Sequence, residues 1–182
     1  MAGFVLAGDT SGQVTLSSPA VAGTTTITMP ATTGTMVVLP TTPSMVRLNT
    51  DAGFGSTNTG IRRFANTVTN TGSDITYADS ATLGASFTIN TAGIYAVTFS
   101  IGTSSAANIG LSLNSTQLST AINLITISDQ LVNAVTPSAT WSACVSWTGY
   151  LPAASVVRPH TSTSITASTT NGLPTFTIVR VA

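Results

Sequence analysis

Hydrophobic and polar residues alternate through much of the chain, and the clearest example lies between Phe87 and Ile101. This segment reads FTINTAGIYAVTFSI, with two runs of alternation separated by the short sequence TAG. A period of two residues is typical of a strand with one buried face. The pattern predicts a β-hairpin with Gly93 at a positive φ in its turn. Its apolar face, the expected centre of an all-β core, consists of Phe87, Ile89, Tyr95, Val97, Phe99 and Ile101.

Similar patterns follow residue 44 at the spacing expected of a β-sandwich or barrel. The predicted strands are 45–48, 61–68, 87–89, 94–101, 109–113, 118–127, 141–147, 156–158, 164–167 and 176–181. Phe176 and Ile178, in the last of these strands, are expected to join the core. Nothing predicts a long helix, although residues 128–135 are compatible with about one helical turn before Pro137.

The first 43 residues differ from the rest. Alternation at 13–17, 24–29 and 35–39 predicts three short strands, which are too few to form a core of their own in water. We therefore expect residues 1–43 to be a β arm with a Pro-rich linker, and residues 44–182 to be the globular domain. The apolar residues expected to dock the arm are Val14, Leu16, Val21, Ile27, Met29, Met36, Val37 and Val38.

Charge is scarce in this sequence. Of 182 residues, only 5% are charged, all of them Arg or Asp, and the formal net charge is zero. A basic patch for nucleic acid or an anionic membrane is therefore not expected. Near-neutrality instead suits a chain that lies within an assembly. No apolar run is long enough to cross a membrane, and the first residues lack the basic region of a secretory signal, so we expect synthesis in a cytoplasm.

No combination of residues predicts catalysis, a cofactor or a small-molecule substrate. His160 is the only histidine, so a two-histidine metal site is excluded, and we expect it to be an exposed loop residue. Cys144 is the only cysteine, and we expect it to be a small buried or half-buried side chain. Asp74 and Asp79 fit turns better than a calcium loop.

Arg62 and Arg63 are the only adjacent pair of charged residues in the sequence. Two interpretations stay open for them. The pair either contacts an acidic surface of a neighbouring subunit or lies at a solvated strand end.

Part of the arm resembles a segment of tailed-bacteriophage structural proteins. The residues that carry this likeness are GDTSGQVTLSSPAVAGTTTITMPATTGTMVV, in which V-T-L is followed by P-A-V-A-G-T-T-T and then by P-A-T-T-G-T. The resemblance implies a virion protein and leaves open which one.

The globular domain resembles the jelly-roll domains of the complement-component and tumour-necrosis-factor superfamily. The likeness rests on F-x-I-x-x-x-G-x-Y-x-V-x-F-x-I at 87–101 and on the closing sequence TFTIVRV at 175–181. Residues 151–155 read LPAAS, where family members usually carry L-x-x-G-D, so the match is looser there. The resemblance implies a ten-strand jelly roll that assembles as a compact trimer.

These observations together predict a non-enzymatic bacteriophage virion protein, either a capsid decoration (cement) protein or a short head fibre. It would lie on the outer capsid surface as a homotrimer whose partner is the phage major capsid protein, with no nucleic acid, membrane or cofactor. One alternative is a receptor-binding tail-fibre tip that recognises a host surface glycan. Another is a cell-surface or spore-coat trimer of the same superfamily.

Overall fold

The fold is taken from a computed structural model, which describes residues 3–7, 13–17, 43–136, 141–162, 166–167 and 173–182. The chain forms two compact units, Met1–Leu39 and Pro40–Ala182. The predicted division after residue 43 stays a prediction.

In the first unit, β1 (Gly3–Ala7) pairs antiparallel with β2 (Gln13–Ser17). Strand β2 lies where the sequence predicts it and contains Val14 and Leu16. The predicted strands 24–29 and 35–39 lie outside the described residues, as do the remaining docking residues, Val21, Ile27, Met29, Met36, Val37 and Val38.

The second unit is a sandwich of two five-stranded antiparallel sheets, which confirms the predicted all-β jelly roll of ten strands. The first sheet has the order β10-β7-β12-β3-β4 and the second the order β5-β6-β11-β8-β9. The strands are β3 (Met45–Phe54), β4 (Arg62–Thr71), β5 (Ile75–Ala78), β6 (Ser86–Ile89), β7 (Gly93–Thr103), β8 (Ala107–Leu113), β9 (Gln130–Thr136), β10 (Trp141–Leu151), β11 (Val156–Thr161) and β12 (Thr175–Arg180).

The core lies between the two sheets and consists of the alternate residues of each strand that face inward. The ring of Phe87 from the second sheet stacks on Phe176 from the first, with the ring centroids 4.0 Å apart. Phe99 and Phe64 meet edge to face in the same layer at 6.3 Å. Each buried large side chain contributes about 1.5–3 kcal/mol. The sequence-predicted residues that are buried here are Phe87, Ile89, Tyr95, Val97, Phe99, Ile101, Phe176 and Ile178.

The predicted hairpin between Phe87 and Ile101 is wrong. Strand β6 pairs with β5 and β11 in the second sheet, whereas β7 pairs with β10 and β12 in the first. The sequence TAG therefore connects the two sheets and is not a hairpin turn. Both strands bury their apolar residues in one core from opposite sides, because alternation reports which face is buried and not which strand is the neighbour.

The predicted positive φ of Gly93 is also wrong. Gly93 begins β7, and the described glycines with positive φ are Gly53, Gly72 and Gly84. A Cβ on Gly93 would collide with the carbonyl oxygen of Ala182 and lie 2.8 Å from the Nε of Arg180. The position needs glycine because the end of the chain packs against it.

The strand predicted at 118–127 is replaced by a long connection between β8 and β9. It contains two short 3₁₀ helices, Ile122–Leu124 and Ile127–Asp129. The possible helical turn at 128–135 is instead mostly strand β9. Of the predicted strand 164–167, Ala167 forms an isolated bridge to Thr103, and 163–165 lie outside the described residues.

Candidate functional site

The single histidine and the single cysteine of the sequence lie in environments that differ from those predicted. His160 lies in β11 and is fully buried, which corrects the expected exposed loop residue. Cys144 lies in β10 and is exposed, so the expected buried or half-buried thiol is also wrong. Within the described residues, no group of three His, Cys, Asp or Glu side chains could hold a metal ion.

The side of the sandwich formed by β4 and β5, which we name the ion-paired edge, contains charges that compensate each other. Arg62 is only 1% exposed and forms an ion pair with Asp51 of β3. Burial lowers the pKa of Arg62, and the Asp51 carboxylate opposes that effect. Arg63 forms a hydrogen-bonded pair with Asp79, 2.7 Å between Nη2 and Oδ2, which joins the first sheet to the end of β5.

A third ion pair closes the other end of β5. Nη1 of Arg180 in β12 lies 3.3 Å from Oδ2 of Asp74. The hydroxyl of Ser44 donates to the same carboxylate oxygen at 2.8 Å. Hydrogen bonds from Thr91 and Ser44, together with Arg180, hold the pKa of Asp74 below its ordinary value. Asp74 and Asp79 therefore have structural partners. Arg63 lies at the start of β4 with part of its side chain in solvent, as one interpretation expected, whereas Arg62 is buried. The interpretation of the pair as a contact with a neighbouring subunit stays a prediction.

The ion-paired edge also resists strand addition by its backbone geometry. Strand β5 has only four residues, and the pairing of β4 with β3 has two register shifts. Short edge strands, charged residues and irregular pairing are the usual means by which proteins prevent other strands from adding to a sheet.

The opposite side, formed by β9 and β10, has neither a charged residue in its strands nor a strand as short as β5, and we name it the open edge. The pairing of β9 with β8 has one register shift, whereas β10 pairs with β7 without one. Among the described strands, β9 and β10 each end their sheet, and they contact each other where the sheets meet. They have seven and eleven residues, with no charged residue and no proline in either. Val135 and Tyr150 are each 61% exposed there. A long uncharged edge with apolar residues is a surface for protein contacts.

The outward face of the first sheet continues this uncharged surface over β10, β7 and β12, as far as Arg47 of β3. One cross-strand row follows the sequence Ser146, Thr98, Thr177, Arg47 and Thr69, as fixed by the strand registers. Thr98 and Ser146, nearest the open edge, are exposed. Small hydroxyl side chains on a pleated sheet leave a flat surface, because branched Thr packs closely on the strand.

The connection between β8 and β9 places two further apolar side chains in solvent. Leu124 is 69% and Ile127 is 85% exposed, whereas Ile122 and Ile125 beside them are buried. Sequence reasoning missed this arrangement, although the i, i+3 spacing of the two buried residues was a signal against a strand. No helix in the described parts of the chain is long and apolar enough to cross a membrane.

Comparison with known proteins identifies the fold. No protein-family model matches the chain. No curated protein matches it either. Among solved structures, murine APRIL at pH 8.5 matches with 10% identity and a TM-score of 0.54, over 77% of this chain and 100% of that one. GITRL from bushbaby matches with 13% identity and a TM-score of 0.48, over 78% of this chain and 96% of that one.

The structural likeness at 10% identity is one of fold alone. The bacteriophage resemblance of the arm stays a prediction. The chain shares the jelly-roll fold of the tumour-necrosis-factor superfamily.

Proposed function

We propose that the chain is a non-enzymatic bacteriophage virion protein, a capsid decoration (cement) protein or short head fibre. It forms a homotrimer through the open edge and attaches to the major capsid protein through its N-terminal arm. The observation that carries the proposal is the contrast between the ion-paired edge, which prevents strand addition, and the uncharged open edge, which does not.

A second copy of the chain is the occupant best suited to the open edge. Contact there removes no charge from water, so burial of Val135 and Tyr150 is not offset by desolvation of ions. A net charge of zero also means that copies do not repel one another. A closed cyclic trimer covers every copy of such an edge, and C3 symmetry matches the threefold positions of an icosahedral capsid.

The arm supplies attachment in this proposal. A two-stranded unit such as β1–β2 is at best marginally stable by itself in water, so its apolar residues need another surface. Unpaired strand edges readily add to a neighbouring sheet. Coat subunits would provide that sheet, and the sequence resemblance to phage structural proteins lies in this segment.

The alternative, a tail-fibre tip that binds a host glycan, finds less support. Among the exposed large hydrophobic residues of the described chain, Tyr150 is the only aromatic one. Sugar binding commonly uses aromatic faces with polar neighbours, and an isolated tyrosine on a strand edge does not provide that arrangement.

The location in the particle tests the virion assignment. Antibodies against the globular unit should label capsids of the phage that encodes the chain, and not tail tips. Deletion of residues 1–40 should leave a folded trimer that no longer binds these capsids, while the full chain binds. Labelling of tail tips, or normal capsid occupancy by the deleted protein, would contradict the proposed attachment.

A further inference from the structure

The ring of His160 lies where three segments meet. Its Nε2 is 2.7 Å from the carbonyl oxygen of Thr120, in the connection between β8 and β9. The backbone N–H of Gly60 donates to the carbonyl of Leu118 at 2.9 Å, and that of Thr161 donates to Gly60 at 2.8 Å. A Cβ on Gly60 would lie 2.8 Å from Nε2, so the ring fits closely against this backbone. His160 therefore fastens residues 114–129 to the end of the sandwich.

The hydrogen bond fixes which nitrogen of His160 carries the proton. A carbonyl oxygen can only accept, so Nε2 donates to Thr120 and Nδ1 has a lone pair in the neutral ring. Nδ1 is buried and has no hydrogen-bond partner. Protonation would create a second N–H that has no acceptor, and it would place a positive charge in a site that water does not reach. Both changes are unfavourable in a buried site.

Among the described residues, no carboxylate lies near the ring to stabilise the positive charge that a second proton would bring. Burial is the main reason that the pKa of His160 is lowered; the hydrogen bond to Thr120 opposes this effect, and repulsion by Arg158 on the same strand adds to it. Strands β6 and β8 and residues 55–61 contain no titratable side chain. Residues 114–129 contain only Asp129. The nearby end of β4 contributes Arg62, which is already in an ion pair with Asp51.

Residues 114–129 cover apolar surface as long as they stay closed. Their own side chains Ile122 and Ile125 are buried, and Ile122 lies against Gly110 of β8. The Oε1 of Gln117 accepts hydrogen bonds from the N–H and the hydroxyl of Thr126 at 2.8 and 2.9 Å, which holds the segment together internally. Because the segment is held together in this way, loss of its attachment at Thr120 also strains the neighbouring attachment, in which the N–H of Gly60 donates to the carbonyl of Leu118.

We propose that His160 is a protonation-sensitive latch: the neutral ring holds residues 114–129 closed, and protonation opens this segment and uncovers Ile122 and Ile125 while the core stays folded. A histidine in the open state has an ordinary pKa of about 6.5, whereas that of the closed state is lower. The closed form is therefore fully favoured above about pH 6.5 and loses its advantage as the pH falls below that value.

Hydrogen exchange of the full chain at pH 7.5 and pH 5.0, corrected for intrinsic rates, tests the latch. The amide of Gly60 is the direct reporter, because its acceptor is the carbonyl of Leu118. If the closed ring stays neutral, opening should become up to about 30-fold more frequent at pH 5.0, the ratio expected for a group of pKa 6.5. Amides of β7, in the core, should show no such change.

The matched variant is His160→Gln, whose amide can donate to Thr120 but does not titrate. It should show equal opening at both pH values. Because His160 is the only histidine, its ring signals in the wild-type NMR spectrum also report its titration directly, even if the variant does not fold. The midpoint of that titration should lie below 6.5 and should coincide with the opening of the segment.

Three results would overturn the latch. The first is wild-type exchange at Gly60 that does not change with pH, and the second is a His160→Gln protein that keeps the acid response. The third is a ring that titrates at about 6.5 or above, or at a pH where the segment does not open.

Discussion

Both edges of the jelly roll are places where the two sheets end, but their edge strands differ in charge and in length. At the ion-paired edge, Arg63 and Asp79 bridge the sheets, β5 is only four residues long, and β4 pairs irregularly. At the open edge, β9 and β10 run for seven and eleven residues without a charge. Although the chain has few charged residues, the three ion pairs of its described part all lie on or next to the ion-paired edge.

This difference is the basis for our proposal that the ion-paired edge faces solvent in the assembled protein and that the open edge does not. Edge strands left in water are normally prevented from pairing, since a free edge is a template for aggregation. The ion-paired edge meets that requirement within one chain. The open edge has no charged residue and no strand as short as β5, which is why we propose that a second copy of the chain covers it.

The largest expected effect on stability comes from the buried ion pair. Asp51→Ala leaves the buried Arg62 without its carboxylate partner and should lower the free energy of unfolding by about 3 kcal/mol. The matched control is Asp79→Ala, whose partner Arg63 reaches solvent, and which should cost about 0.5 kcal/mol. Chemical denaturation of both variants measures the difference. Equal losses would mean that the two pairs share one environment.

Gly93→Ala should have the next largest effect, a loss of about 1–3 kcal/mol, because the added methyl group would collide with the carbonyl of Ala182. Chemical denaturation measures this loss as well. The amide of Ile94, which donates to the carbonyl of Ala182, should show which interaction is disturbed: its hydrogen exchange should accelerate in the variant. A variant as stable as the wild type would show that the chain end moves aside at no cost.

Salt should have the smallest effect. The Debye length falls to about 3 Å at 1 M salt, which weakens exposed ion pairs but not apolar contacts. The mass of the trimer, measured by static light scattering, should therefore stay the same from low salt to about 1 M NaCl. Dissociation over that range would place charged residues in the subunit interface and would contradict the assignment of the open edge.

The sequence predicted the fold class and the core better than the pairing of strands. Alternation placed Phe87, Tyr95 and Phe99 correctly on the buried face because their period is local. It placed β6 and β7 in one hairpin, because nothing local distinguishes a hairpin from a connection between sheets. Strand β5 was missed because its two large apolar residues, Ile75 and Tyr77, lie between turn residues and give too short a pattern by themselves.

The functional features were harder to predict because they depend on contacts between distant segments. The burial of His160 results from Gly60 and Thr120, which lie far from it in the sequence. The pairing of Arg62 with Asp51 depends on the register of β3 and β4, which contains shifts. The scarcity of charge was visible from composition, but the grouping of the ion pairs around β4 and β5 required the topology.

The most direct test of the central claim compares two valine-to-lysine variants in native mass spectrometry. Val135→Lys places a charge on the open edge, and Val68→Lys places one on β4, where Val68 is 45% exposed. Each chain has a mass of 18.4 kDa, so three chains (3 × 18.4) give about 55 kDa. We predict that the wild type and Val68→Lys are trimers at micromolar concentration, and that Val135→Lys is a monomer. A monomeric wild type, or a trimer that tolerates Val135→Lys and is lost in Val68→Lys, would contradict assembly through the open edge.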